Sequence, residues 1–152
     1  MSRLVSGSKA PAFTLLDQEG DPVKLIDQLG SRVLVYFYPR ADTPGCTRQA
    51  CGLRDIAKKV GSTVVIGISP DLPATLAKFD AKYSLAFTLL SDPDHSVAEH
   101  YGVWVEKNNY GKKYMGIERS ALLVDDKGSI SDVWYRVKPE DTPTKLLAAL
   151  GQ

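Results

Sequence analysis

The amino-acid sequence predicts an α/β fold in which a mixed β-sheet is flanked by helices on both faces. Two near-continuous apolar runs, residues 32–38 and 63–69, are rich in β-branched and aromatic residues, as strands buried on both faces are. Segments with helical spacing of their apolar residues follow both runs, and such strand–helix alternation is typical of parallel strands. A later strand pair around the turn signal at residues 125–128 adds an antiparallel part. We therefore expect residues 1–152 to form a single domain.

The first elements are two short strands joined by a turn. Residues 11–16 alternate loosely between apolar and polar side chains, residues 17–22 have the composition of a turn, and residues 23–25 resume the strand pattern. The first long apolar run, residues 32–38, follows. Pro39 ends it, because proline has no N–H to donate to a β-ladder. The sequence thus predicts a short hairpin that precedes a central strand along the chain.

The first helix is expected from about Cys46 to Val60. Its apolar residues recur at spacings of three and four, and Gly61 then fits the end of a helix. A single stripe of this kind predicts that one face of the helix packs on the sheet. The stripe consists of Ala50, Leu53, Ala57 and Val60.

The remainder of the chain contains shorter elements of the same kinds. The expected elements are a strand at 63–69, a helix at 73–83, a strand at 87–90, a short helix at 95–101, strands at 120–124 and 129–137, and a final helix at 142–150.

The composition excludes several classes of protein. The chain has 152 residues, 43% hydrophobic and 24% charged, which are values of ordinary globular domains and argue against disorder. Lys and Arg (19) nearly balance Asp and Glu (18), so the net charge of +1 gives no general attraction to nucleic acid or to an anionic membrane. No apolar run approaches the roughly 18 residues of a membrane-spanning helix, and the N-terminus shows no secretory signal. We therefore expect a cytoplasmic protein that binds neither nucleic acid nor membranes.

The two cysteines, Cys46 and Cys51, require a chemical explanation. In a reducing cytosol a permanent disulfide is disfavoured, and a disulfide that closes so short a loop is a poor structural crosslink. Cys46 falls in the first turn of the predicted helix, where unpaired N–H groups and the positive end of the helix dipole favour a thiolate over a thiol. Gly45 leaves the approach to these N–H groups open, and Thr43 brings a hydroxyl to the same place. Loops that follow the strands of an α/β sheet are also the usual position of an active site.

Two other interpretations of these residues remain open on this reasoning. A free cysteine at the start of a helix is often only a small buried hydrophobic residue, and Thr-Pro-Gly is a common turn. Two cysteines together with His95 and His100 suffice in number for a zinc ion, but neither pair has the spacing of a zinc finger. We expect no bound metal and no cofactor.

The segment from residue 36 to residue 55 resembles the active-site segment of the peroxiredoxins. That family has a pattern of Pro, then Thr, and three positions later the peroxide-reacting Cys, which Pro39, Thr43 and Cys46 match. The form Thr-Pro-Gly-Cys-Thr-x-Gln-Ala-Cys is most similar to the bacterioferritin comigratory protein, or Q-type, branch. Gln49 marks that branch, since several other branches carry Glu there. The resemblance covers nearly the whole chain and implies a thioredoxin-like fold. Further similar stretches are Gly67–Pro70, Leu90–Pro93 and Gly116–Ser120.

The resemblance also implies a mechanism. Cys46 is expected to attack a peroxide as a thiolate and become a sulfenic acid, which Cys51 then resolves by forming an intramolecular disulfide. Arg119 occupies the position of the family's late arginine, whose cation holds the thiolate and polarises the O–O bond. Thr43 and the N–H of Cys46 are expected to position the peroxide oxygens, and Pro39 to shield the sulfur from water. The implied partners are hydrogen peroxide or an organic hydroperoxide as substrate, and thioredoxin or a similar dithiol as reductant.

Two other functions stay open beside the peroxidase. A thiol–disulfide oxidoreductase of thioredoxin-like fold is one, although the cysteine spacing is CxxxxC and not CxxC. A redox-switched holdase that uses the same thiols is the other. We expect the chain to be a monomer, with a dimer as the alternative.

Overall fold

The computed structural model describes residues 3–151 and contains nine strands and four α-helices in that part of the chain. Two single turns of 3-10 helix, Leu25–Gln28 and Ala57–Lys59, complete the regular structure. The strands are β1 (Thr14–Asp17), β2 (Pro22–Lys24), β3 (Val33–Phe37), β4 (Val64–Ser69), β5 (Thr88–Ser91), β6 (Trp104–Asn109), β7 (Lys112–Ile117), β8 (Ser120–Val124) and β9 (Ile130–Trp134). The helices are α1 (Pro44–Asp55), α2 (Pro73–Tyr83), α3 (Ser96–His100) and α4 (Asp141–Ala149).

Seven strands form one mixed sheet in the order β2-β1-β5-β4-β3-β8-β9. The three central strands β3, β4 and β5 are parallel. Along the chain, β3 is followed by α1, β4 by α2 and β5 by α3. The outer strands are antiparallel, with β8 and β9 on one side and β1 and β2 on the other. The predicted mixed sheet, with a parallel centre and antiparallel additions, is confirmed.

Two core clusters lie on opposite faces of the sheet, because successive side chains of a strand point to opposite sides. In β3, Val35 and Phe37 belong to one cluster, which also contains the buried residues of α3, whereas Leu34 and Tyr36 belong to the other. The cluster around Tyr36 contains the buried apolar residues of α1, α2 and α4. Helices therefore cover both faces, as predicted, and the face that carries α1 is called the α1 face below.

Three predicted bounds are wrong by three residues or more. The first strand begins at Thr14 and not at residue 11. The first helix ends at Asp55 and not near Val60, because the chain tightens at Ile56 into the 3-10 turn that precedes Gly61. Strand β9 ends at Trp134 and not at Val137, because Arg136 adopts a left-handed backbone conformation (φ +57°) that leaves the strand. All three errors concern the ends of elements, which are the least certain part of a prediction from apolar patterning.

The hairpin of β6 and β7 is not predicted by the sequence pattern. In this hairpin Trp104 pairs with Ile117 at one end and Asn109 pairs with Lys112 at the other. Both strands are mostly exposed, so they lack the alternation of buried and exposed residues that is typical of a sheet strand. The turn Tyr110–Gly111 has positive φ at both residues, the geometry that favours a two-residue hairpin turn. The Asn108 side chain supports it by accepting the N–H of Gly111 at 2.9 Å.

Across residues 3–151, no helix combines the length and the apolar character that crossing a bilayer requires.

Candidate active site

Cys46 is the third residue of α1, the helix that follows the central strand β3 along the chain. Thr43 is the N-cap and Pro44 occupies the first helical position, where the missing N–H of proline costs nothing. The first helical hydrogen bond runs from the N–H of Thr47 to the carbonyl of Thr43 at 2.8 Å, so the N–H groups of Gly45 and Cys46 precede the helical ladder. The Cys46 side chain is only 2% exposed, which restricts its sulfur to small reactants. The site thus combines a buried sulfur with the positive end of a helix.

Arg119 reaches this sulfur because of the strand order. In the antiparallel pair of β3 and β8, Phe37 lies opposite Ser120, so the residue before β8 lies at the edge of the sheet where β3 ends. The Nη2 of Arg119 donates a hydrogen bond to Cys46 Sγ at 3.4 Å. Its backbone is held by Val137, whose N–H donates to the Arg119 carbonyl at 3.0 Å. A positively charged guanidinium group therefore lies in hydrogen-bond contact with the Cys46 sulfur.

Gly45 makes room for this guanidinium group. A Cβ at position 45 would lie 3.1 Å from Arg119 Nη2, tighter than ordinary van der Waals contact, and 3.4 Å from Pro139 Cγ. The absent side chain at Gly45 thus lets the guanidinium group of Arg119 lie close to the start of α1.

The predicted residues Thr43 and Pro39 both lie in the loop that leads from β3 to Cys46. The Thr43 hydroxyl donates to the carbonyl of Arg40 at 2.9 Å, so its hydrogen is engaged and its oxygen is free to accept from a ligand. No capping bond to the helix uses this oxygen. Pro39 is half-buried at the start of the loop. The loop therefore presents an acceptor near the donors of the helix N-terminus.

The carboxylate of Asp71 fixes the loop from the next strand. Its Oδ2 accepts the N–H of Ala41 at 2.7 Å and the hydroxyl of Ser69 at 2.8 Å. Asp71 follows β4, which is parallel to β3, and the carboxyl ends of parallel strands meet at one edge of the sheet. The loop before Cys46 is thus tied to the sheet by a charge-assisted hydrogen bond.

Tyr83, at the end of α2, contacts the chain on both sides of the cysteines. Its hydroxyl donates to Asp42 Oδ1 at 2.8 Å, and its carbonyl accepts from Arg54 Nη1. Asp42 has a left-handed backbone (φ +61°), and its carboxylate also pairs with Lys82 at 2.9 Å. The hydrogen bonds from Lys82 and Tyr83 lower the pKa of the Asp42 carboxyl below its usual range. Both flanks of α1 are therefore anchored to α2.

Cys51 lies on the same helix as Cys46, and both are free thiols. Cys51 is half-buried, and the next residue, Gly52, packs closely against α4. A Cβ at Gly52 would lie 2.8 Å from Pro143 Cγ, so only glycine permits this approach of the two helices. The second cysteine is therefore near the contact between α1 and α4.

Gln49 is a site residue whose role sequence reasoning missed. It is fully buried, its Oε1 accepts from Arg119 Nη1 at 2.7 Å, and its Nε2 donates to Thr142 Oγ1 at 2.9 Å. The sequence carries a signal for its burial, since positions 46, 49, 50 and 53 follow the three-and-four spacing of one helix face. Arg119 thus holds Cys46 with one nitrogen and Gln49 with the other.

Two tyrosines pack with Cys46 in the core of the α1 face. Tyr36 and Tyr38 are stacked with ring centroids 5.4 Å apart, and both are fully buried. Their hydroxyl groups have no hydrogen-bond partner within residues 3–151. Burial raises the pKa of Tyr36 and of Tyr38 well above the usual value, so both phenols stay neutral at neutral pH. On the side that faces the sheet, the Cys46 sulfur therefore has two uncharged phenol groups in the same core cluster.

The exposed side of Arg119 opens into a polar depression of about 430 Å³. Lys107, Arg136 and two glutamates, Glu106 and Glu118, line it with Arg119. Partial burial, and next the charge of Arg119, lower the pKa of the Lys107 amine. Cations thus slightly outnumber carboxylates around the exposed side of Arg119.

The two histidines lie away from the cysteines, on the opposite face of the sheet. His95 precedes α3, where it stacks on Trp104 with ring centroids 3.9 Å apart and pairs with Glu99 at 3.2 Å. Among residues 3–151, the side chains close enough to share a metal ion are three carboxylates of the β1–β2 turn, Asp17, Glu19 and Asp21. A zinc site from both cysteines and both histidines does not fit this arrangement.

Comparison with known proteins identifies the family. Residues 6–133 match the model of the AhpC/TSA family. The chain is 54% identical over 137 residues to peroxiredoxin Bcp of Escherichia coli K12, covering 88% of this chain and 87% of that protein. It is 49% identical over 146 residues to a putative peroxiredoxin Bcp of Coxiella burnetii, covering 95% and 97%.

Solved structures give the same result. The bacterioferritin comigratory protein of Xanthomonas campestris superimposes with a TM-score of 0.89 at 31% identity, covering 97% of this chain and 98% of that one. The BcpB protein of Mycobacterium tuberculosis superimposes with a TM-score of 0.84 at 34% identity, covering 96% of both chains. The predicted thioredoxin-like α/β fold is confirmed. The chain therefore belongs to the AhpC/TSA family and, within it, to the peroxiredoxins of the bacterioferritin comigratory protein, or Q-type, branch.

Proposed function

We propose that this peroxiredoxin reduces hydrogen peroxide and organic hydroperoxides with Cys46 as the peroxidatic cysteine and Cys51 as the resolving cysteine. The observation that carries the proposal is the hydrogen bond of 3.4 Å from Arg119 Nη2 to the buried Sγ of Cys46 at the start of α1. Membership in the family supports thiol peroxidase chemistry. The X. campestris relative is described by its alkyl peroxide reduction activity, which supports the inclusion of organic hydroperoxides.

In the first step the Cys46 thiolate attacks the terminal oxygen of the hydroperoxide. An S–O bond forms, the O–O bond breaks, and the leaving alkoxide or hydroxide takes up a proton to become an alcohol or water. The cation of Arg119 stabilises the thiolate and the charge that develops on the oxygens. Thr43 Oγ1 accepts the hydrogen of the peroxide, and the N–H of Cys46 donates to its other oxygen. Pro39 keeps water from the sulfur.

In the second step Cys51 attacks the sulfur of the Cys46 sulfenic acid, which releases water and forms a disulfide. Helix geometry forbids this within α1: the five-residue separation gives Cα atoms roughly 8.7 Å apart. A disulfide requires about 7 Å or less and converging Cβ vectors. The first one or two turns of α1 therefore unwind before the disulfide forms.

In the third step thioredoxin or a similar dithiol reduces the disulfide, and the thiols of both cysteines return. Unwinding exposes the disulfide to the attacking thiolate of the reductant. Such a reductant belongs to a reducing compartment, so we place the protein in the cytoplasm. All proposed site residues come from one chain, so the proposal requires no second copy and we expect a monomer.

Coupled peroxide consumption tests the proposal. With thioredoxin, thioredoxin reductase and NADPH, the wild-type chain should consume hydrogen peroxide and cumene hydroperoxide steadily. Cys46→Ser should abolish consumption, since a serine hydroxyl stays protonated and attacks an O–O bond poorly. A wild-type chain that reduces protein disulfides but leaves peroxide untouched would support the oxidoreductase instead. One that does neither but prevents aggregation only when oxidised would support the holdase.

A further inference from the structure

The helix α4 is connected to the Cys46 site through an unbroken series of hydrogen bonds. Arg119 Nη1 donates to Gln49 Oε1 at 2.7 Å, Gln49 Nε2 donates to Thr142 Oγ1 at 2.9 Å, and the Thr142 hydroxyl donates to the Lys138 carbonyl at 3.1 Å. Both Gln49 and Thr142 are fully buried. Solvent therefore cannot replace a lost partner at little cost.

Donor and acceptor chemistry fixes the direction of this series. An arginine only donates, so the Gln49 amide must turn its oxygen towards Arg119 and its nitrogen towards Thr142. The Thr142 oxygen then accepts, and its hydrogen has to go to the Lys138 carbonyl. Each bond thus sets the orientation of the next group, and a hydroxyl at position 142 is needed to complete the series.

The segment that leads into α4 and the first turn of α4 also contact Arg119 and α1 in other ways. The backbone of Val137 holds the Arg119 carbonyl, and Pro139 lies close to Gly45 at the start of α1. Pro143 packs against Gly52. Residues 137–143 therefore lie along the segment of α1 that contains both cysteines.

We propose that Thr142 is a positioning residue for Arg119, acting through Gln49, and that it couples the packing of α4 to the redox state of Cys46. The inference rests on the proposed function. While α1 is helical, Thr142 holds the Gln49 amide and thereby holds the guanidinium group beside the sulfur. When the disulfide forms, the unwound segment includes Gln49, so the bond to Thr142 breaks and the start of α4 loses its partner.

Two kinetic steps should consequently respond in opposite directions to the loss of the hydroxyl. Thr142→Val leaves the Gln49 amide without an acceptor, so Arg119 is held less firmly and oxidation of Cys46 slows by about fivefold, the effect of one hydrogen bond. The Thr142–Gln49 bond exists only while α1 is helical. Its loss favours unwinding, so conversion of the sulfenic acid to the disulfide speeds up by a similar factor.

Rapid mixing with hydrogen peroxide, followed by acid quench and intact-mass analysis, separates the two steps. Thr142→Ser keeps the hydroxyl and should return both rates to within about twofold of wild type. Thr144→Val makes the same chemical change at an exposed position of the same helix and should alter neither rate. Slower oxidation with faster disulfide formation in Thr142→Val, rescued by Thr142→Ser, supports the proposal. Any other pattern overturns it.

If Thr142→Val does not fold, hydrogen exchange on the wild-type chain still tests the proposal. On oxidation, hydrogen exchange at residues 141–146 should accelerate, whereas unchanged protection there would overturn the proposal. If the wild-type chain is not oxidised at Cys46 at all, the proposed function fails. If the wild-type chain behaves as proposed while the Thr142 variants match it, only this inference fails.

Discussion

Arg119 Nη2 lies 3.4 Å from Cys46 Sγ, although the two residues are 73 positions apart in the chain. The antiparallel pairing of β8 with β3 produces this contact, because it brings the start of one strand to the end of the other. A guanidinium group can hold two partners at once through separate nitrogens, and here the second partner is Gln49. The contact therefore depends on the fork geometry of arginine as well as on its charge.

Arg119→Lys and Arg119→Ala should both slow the oxidation of Cys46. Lysine keeps the charge but cannot bond the sulfur and Gln49 with the same geometry, so we expect about a tenfold loss, and up to about a hundredfold for alanine. Stopped-flow measurement of the second-order rate constant with hydrogen peroxide checks this. Arg136→Lys makes the same change at the exposed neighbouring arginine and should have little effect. Rates equal to wild type in both Arg119 variants would remove this residue from the site.

Cys51→Ser should separate the two cysteines. Cys46 should still be oxidised once, and its sulfenic acid should persist because no partner thiol remains in the chain. A sulfenic-acid-specific trapping reagent followed by mass analysis should detect this product, whereas Cys46→Ser should give none. Sustained peroxide consumption with thioredoxin should fail or slow markedly. Full thioredoxin-dependent turnover in Cys51→Ser would mean that another route resolves Cys46.

Oxidation should unwind the start of α1. Formation of the disulfide breaks several helical hydrogen bonds, each of which contributes about 1 kcal/mol net. Hydrogen exchange at residues 47–52 should therefore be faster in the oxidised chain than in the reduced chain. The helix α2, residues 73–83, is the internal control. Equal protection of residues 47–52 in both states would show that α1 survives oxidation and that the proposed resolution step is wrong.

Asp42→Asn should slightly lower the stability of the chain at neutral pH but not at acidic pH. Asparagine tolerates the left-handed backbone at this position but carries no charge for Lys82. The pKa of Asp42 is lowered in the folded chain, so its carboxylate stabilises the fold above the unfolded pKa, and this contribution is lost as the pH falls through the folded value. Above about pH 5 the wild type should therefore melt at a slightly higher temperature than the variant, and this difference should disappear as the pH falls below about 3.

Thermal unfolding followed by circular dichroism measures this difference. Asp126→Asn, at an exposed position in the β8–β9 turn, is the matched control and should keep the wild-type dependence. Parallel curves for wild type and Asp42→Asn would show that the ion pair with Lys82 does not contribute.

Apolar patterning predicts most of the fold because the central strands and helices bury continuous or periodic apolar faces. It misses the β6–β7 hairpin, whose strands are exposed and whose signal lies in the Tyr110–Gly111 turn. The local motif around Cys46 is likewise visible in the sequence. The link from Gln49 to Thr142 is not, because the two residues are 93 positions apart and no local pattern relates them.

The hydrogen bonds of Tyr83 bear on how fast α1 can re-form in the proposed catalytic cycle. Its bonds to Asp42 and Arg54 fix both ends of the segment that carries the cysteines. In the proposed mechanism, the segment that unwinds therefore lies within a closed loop of about a dozen residues, whose gain in entropy is limited compared with that of a free end. A helix between fixed ends re-forms in roughly a microsecond, whereas enzyme turnover takes about a millisecond to a second. In the proposed cycle, re-formation of the helix is thus faster than turnover, and we expect chemistry and the supply of reductant to set the rate of the cycle.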